Sequence, residues 1–178
     1  MKPKLMVRVG ALVGMFLALA FIIQPVAVAA DSPKIFEINN MTGVPLALTA
    51  PEDIRIDGLL GGGKPWVIGF ANGALFSDGR LELKFKGLVL DPNDSGVIAA
   101  GLANMNPIPE MKVIVACYTS TGSIAQVSSE LFPVTTGLAS DGGGSGMIIT
   151  QLSLPDPCIA PVVFITSAGG NWFAATGD

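Results

Sequence analysis

Arg80-Leu81-Glu82-Leu83-Lys84-Phe85-Lys86-Gly87-Leu88-Val89-Leu90 is the stretch on which the fold turns. From Leu81 to Lys86 apolar and charged residues alternate without a break. Side chains of a strand point to opposite faces in turn, so Leu81, Leu83 and Phe85 share one face. Glu82, Lys84 and Lys86 share the other. The stretch reads as a half-buried strand, with one face to a core and one to water. After Gly87 the run is apolar on both faces, which predicts a bulge or an entry into the core. Just upstream, Ser77-Asp78-Gly79 supplies hairpin-turn residues, with Ala74–Phe76 as the preceding strand.

The same grammar recurs along the rest of the chain. Lys34–Ile38, Val44–Thr49 and Trp66–Phe70 read as strands, and Asp53–Asp57 alternates with Ile54 and Ile56 on one face. Gly58–Pro65 reads as a glycine-rich loop. Val113–Tyr118 is apolar on both faces and predicts a central strand. Ser123–Val127, Leu131–Thr135, Met147–Leu154, Ile159–Thr166 and Asn171–Ala175 complete the set. Pro161 argues that full pairing of the Ile159 strand begins at Val162. Asp91–Pro109 is the longest irregular stretch, with a helical turn around Val97–Leu102 and an extended Asn104–Pro109. Asp141–Gly146 reads as a turn, and Pro155-Asp156-Pro157 as a bend. Eight to ten short strands divided by turn residues predict an all-β chain, an antiparallel two-sheet sandwich. Immunoglobulin-like and jelly-roll-like topologies both remain open. The strict immunoglobulin pattern is disfavoured, because it places a tryptophan between its paired cysteines. Here Trp66 precedes Cys117 and Trp172 follows Cys158.

Residues 1–30 read as a cleaved signal peptide, helical in its apolar part. Lys2, Lys4 and Arg8 form the basic start, Gly10–Ile23 is uncharged and mostly apolar, and Val28-Ala29-Ala30 precedes a cut at Asp31. The apolar run is 14 residues, about 21 Å as a helix against a membrane core of about 30 Å. The expectation is an exported protein, secreted or periplasmic, with one domain over residues 31–178 and no membrane association after cleavage. The full chain has 178 residues and a net charge of −4. All 14 acidic residues lie after residue 30, against seven of the ten basic ones, so the domain carries −7. Such an acidic balance gives no electrostatic footprint for nucleic acid. The remaining partner classes are a glycan or a protein.

Export makes a Cys117–Cys158 disulfide the default reading. Closing a loop of about 41 residues stabilises by roughly 4 kcal/mol on the chain-entropy argument. Two buried free thiols are the alternative.

The chain has no histidine. This removes imidazole acid–base chemistry, Ser-His-Asp and Cys-His arrangements, and the usual zinc sites. No cofactor and no catalytic residue is assigned. Gly58, Gly63 and Lys64 match most of a phosphate-binding loop, but Pro65 stands where a serine or threonine hydroxyl is needed. Asp91, Asn93, Ser95 and Gly96 begin like a calcium loop, yet Leu102 replaces the twelfth-position glutamate. The stretch reads as a surface turn, with a looser calcium site at Asp91, Asn93 and Asp94 as the alternative. Trp66, Tyr118, Trp172 and Phe173 form a candidate sugar-stacking platform, although aromatics more often pack in cores. Glu37, Glu52, Glu82, Glu110 and Glu130 leave a two-carboxylate hydrolase as a further alternative. Asn40 and Asn93 begin glycosylation patterns.

Several segments resemble an uncharacterised group of secreted bacterial proteins. They are Gly61–Ile68, Leu81–Leu90, Asn106–Pro109, Leu154–Pro161 and Asn171–Gly177, together spanning most of Gly61–Gly177. The resemblance implies a shared exported fold with the two cysteines, and no activity. The leading reading is a non-enzymatic binding or structural module outside the cytoplasm.

Overall fold

The computed structural model describes residues 32–45 and 55–177. The signal-peptide reading, the strand proposed through Val44–Thr49 beyond Pro45, and Glu52, Asp53 and Ile54 lie outside the described residues. The fold is all-β, in antiparallel sheets. One sheet has the order β1-β4-β5-β12, from β1 (Lys34–Ile38), β4 (Phe70–Phe76), β5 (Arg80–Lys86) and β12 (Gly146–Gln151). The other has the order β10-β8-β13-β14-β2, from β10 (Phe132–Pro133), β8 (Glu110–Tyr118), β13 (Ile159–Thr166), β14 (Trp172–Ala175) and β2 (Thr42–Gly43). β9 (Ile124–Ser128) also pairs with β8.

The deciding strand behaves as its pattern requires. Leu81, Leu83 and Phe85 are buried, while Lys84 and Lys86 are exposed. Phe85 meets Phe132 of the opposite sheet edge-on, with ring centroids 6.1 Å apart, so this face is the one between the layers. Ser77-Asp78-Gly79 makes the turn: Gly79 N–H donates to Phe76 O, and its φ is 89°. A Cβ there would stand 1.8 Å from Leu152 O, so the turn needs glycine twice over, by conformation and by space.

At Gly87 the hairpin leaves its sheet. β3 (Trp66–Val67) pairs with β6 (Val89–Leu90), and Trp66 N–H donates to Val44 O beside β2. The hairpin thus bends from one layer to the other, which is why Leu88, Val89 and Leu90 are all buried.

β8 and β13 form the middle of the second sheet, and Val113–Cys117 and Val163–Ile165 are buried on both faces. Met111, Val113, Val115 and Cys117 share the face of Phe132, toward the first sheet. Ile114, Ala116 and Phe164 occupy the reverse face, with Trp172 packed edge-on to Phe164 at 6.1 Å. Register shifts between Ile159 and Val162, as expected around Pro161.

The Asp53–Asp57 reading is corrected over its described part. Ile56 and Leu59 exchange backbone hydrogen bonds of 3.2 and 2.8 Å around Asp57 and Gly58. Both central residues have positive φ, 48° and 85°. That is a two-residue hairpin turn, for which Asp-Gly is the favoured dipeptide. The irregular stretch holds α1 (Ser95–Ala99) and β7 (Met105–Asn106), which pairs with β11 (Gly137–Leu138). Asn106 is fully buried, and its side chain bonds Ile108 N, Ile108 O and Thr135 O at 2.8 to 2.9 Å.

Cys117 and Cys158 are bonded, with Cα atoms 5.0 Å apart. Cys158 directly precedes β13, so the bridge joins neighbouring strands of one sheet. An immunoglobulin bridge spans its two sheets instead.

Candidate functional site

A groove of about 330 Å³ runs over the outer face of the six-stranded sheet. Its floor is Ile114 of β8, with Lys112 two residues along on the same face. Gln126 and Ser128 of β9 form one wall. They reach that face because they pair with Ala116 and Ile114. Gly169, Gly170 and Asn171, before β14, close one end. The Ile56–Leu59 turn and Leu60 form the remaining wall, with Arg55 at its rim.

The turn is tied down at several points. Gln126 Nε2 donates to Asp57 O at 2.6 Å. Arg55 Nη1 donates to Gly58 O at 3.1 Å, and Trp172 N–H to Leu60 O at 2.9 Å. Asn171 Nδ2 reaches Gly61 O at 3.5 Å. These bonds hold the wall in place, so the groove is preformed. Arg55 and Lys112 give it two cations, and no carboxylate is among its described lining residues. Two cations, a hydroxyl and two carboxamides can recognise an anionic, hydroxylated ligand.

The aromatics singled out in the sequence lie elsewhere. Trp66, Trp172 and Phe173 are 4%, 2% and 4% exposed, so none offers a ring face to a sugar. The platform expectation is corrected: all three are core residues. Trp66 stacks on Phe173, and Trp172 lies against Phe164 and backs the groove wall through Leu60. Tyr118 is exposed at the end of β8, paired with Ile124 and Ile159.

The calcium candidates serve the local backbone. Asp91 Oδ1 accepts from Asn93 N at 2.8 Å, and Asp94 Oδ1 accepts from Val97 N at 2.8 Å as the N-cap of α1. A Cβ on Gly96 would sit 3.2 Å from Lys64 Nζ and 3.3 Å from Asp94 Oδ1, so an ammonium already stands beside this loop. A divalent cation would have to compete with it. No group of three or more metal-ligating acids or cysteines occurs among the described residues. Gly58–Pro65 runs into β3 rather than a helix, so its backbone N–H groups have no helix N-terminus behind them to hold a phosphate.

Lys112 had one visible signal, a cation directly before the apolar run Val113–Cys117. Arg55, Gln126 and Asn171 had none, because only strand pairing brings them together. No protein-family model, curated protein or solved structure matches this chain.

Proposed function

We propose that this chain is an exported, non-enzymatic β-sandwich that works by binding, at the groove on the outer face of its six-stranded sheet. The observation that carries the reading is the placement of Arg55 and Lys112 along that groove, in a domain with twice as many acidic as basic residues. A ligand bearing carboxylate or sulfate groups among hydroxyls fits this chemistry, as an acidic glycan does.

Four of the described carboxylates have structural partners, which supports binding over catalysis. Glu37 pairs with Lys34, Glu82 with Arg80, Asp91 holds a turn and Asp94 caps a helix. Export is part of the same proposal. It rests on the pattern of residues 1–30, and the Cys117–Cys158 bridge supports it, since such bonds persist in oxidising compartments. No helix among the described residues is long and apolar enough to cross a membrane.

The test is calorimetric titration of the exported protein with oligogalacturonate, a sulfated disaccharide and a neutral cello-oligosaccharide. The acidic ligands bind, more weakly at high salt. A double Arg55→Ala, Lys112→Ala variant weakens them by about tenfold or more. Preference for the neutral sugar, or turnover of any of the three, would overturn the reading.

A further inference from the structure

We propose that β12 is a self-pairing edge, at which two copies of this chain join antiparallel about a two-fold axis at Ile149 into one eight-stranded sheet. Open strand edges invite pairing, and proteins block them with charge, proline, bulges or brevity. Among the described residues, three of the four outer edges of the two large sheets carry such a block. β1 has the Lys34–Glu37 ion pair and a register shift between Lys34 and Phe36. β2 is two residues long. The far edge of the six-stranded sheet is broken between β9 and β10, and β10 contains Pro133. β12, Gly146-Met147-Ile148-Ile149-Thr150-Gln151, has no charge, no proline and an unbroken register with β5.

Its outward side chains are also the most exposed large apolar groups described, Met147 at 65% and Ile149 at 68%. Leu152 N–H donates to Gly79 O, which fixes the alternation along the strand. Even-numbered residues therefore bond toward β5, and Ile149 and Gln151 aim N–H and C=O off the edge. The edge is closed at Gly146 by a bridge to Val134, so the open stretch is centred on Ile149.

The second copy is the occupant that the charges favour. Two domains of −7 repel, so contact is cheapest through an edge bearing no charge. A two-fold axis at Ile149 sets that residue against its own copy, and Met147 against Gln151 of the second copy. The nearest acidic residue in the central row is Glu82, beside Ile149. Glu82 and its counterpart then stand three strand spacings apart, about 14 Å. That exceeds the screening length of about 8 Å at physiological salt. Pairing consumes both β12 edges and leaves two charged, bulged β1 edges outside, so association stops at the dimer.

The test is sedimentation velocity of the exported full chain over a concentration series. The expected result is a mass that doubles from dilute to concentrated solution. Ile149→Lys, at an exposed position, keeps the circular dichroism spectrum and stays monomeric. A short bis-maleimide links Ile149→Cys into a dimer and leaves Ile98→Cys on α1 unlinked. A monomer at every concentration up to about 1 mM, a dimer that survives Ile149→Lys, or equal linking at both cysteine positions would overturn the proposal.

Discussion

Trp66 and Phe173 stack with ring centroids 4.3 Å apart and planes 32° from parallel. The contact fastens the bent end of the β3–β6 hairpin to β14, and so couples the two layers. Trp66→Ala is expected to remove about 3 to 5 kcal/mol of stability. The indole N–H of Trp66 is buried without a partner. Trp66→Phe keeps an aromatic ring and removes that N–H, so it should cost less than about 1.5 kcal/mol. Urea unfolding of both variants checks this, and equal losses would show that the ring contact is not what matters.

Cys117 and Cys158 close a 41-residue loop that contains β9, β10, β11 and β12. Reduction, or a double Cys→Ser variant, is expected to cost roughly 4 kcal/mol through the freer unfolded chain. Thermal melts with and without reductant read the difference. An unchanged midpoint would mean that the unfolded chain gains nothing from the cut.

Much of this architecture was legible in the residues. The period of two from Leu81 to Lys86 identified a strand with one buried face, and the Val113–Tyr118 run identified a central strand, buried on both faces as far as Cys117 while Tyr118 is exposed. The reverse cover came from an unforeseen source, the turn at Asp57-Gly58 and its following loop. Ile56 between the charged Arg55 and Asp57 imitates a strand, and alternation alone does not reveal that Asp-Gly reverses the chain. The site was much less legible. An aromatic at a strand end has the same letter whether buried or exposed, so Trp66 and Trp172 suggested a platform they do not form. Arg55 and Asn171 meet at one groove only through pairings that no local pattern encodes.

Asp94 caps α1 by accepting from Val97 N–H. Asp94→Ala should lose about 1 kcal/mol, the usual worth of an N-cap. Millimolar calcium should leave the melting temperature of the unaltered protein where it is. A calcium-dependent rise that vanishes in the variant would restore the metal reading.

Asp78 is held below the usual carboxylate range, first by the backbone N–H of Arg80 and next by the Ser32 side chain. A depressed folded-state value means that its contribution is present above the unfolded pKa. The contribution is lost as pH falls through the folded one. Carbon-detected titration should place this carboxyl below a free aspartate, and Asp78→Asn should flatten the acid limb of the stability curve. A titration at or above the ordinary value would contradict the turn geometry.

The proposed function rests on ligand binding at the groove over Ile114. Amide chemical-shift mapping of the isotopically labelled, exported protein with oligogalacturonate tests it most directly. The account predicts saturable shifts clustered at Lys112, Gln126, Ser128 and Gly169–Asn171, abolished in the Arg55→Ala, Lys112→Ala variant. Shifts clustered on the four-stranded sheet instead, or shifts at the groove that persist in that variant, would contradict it.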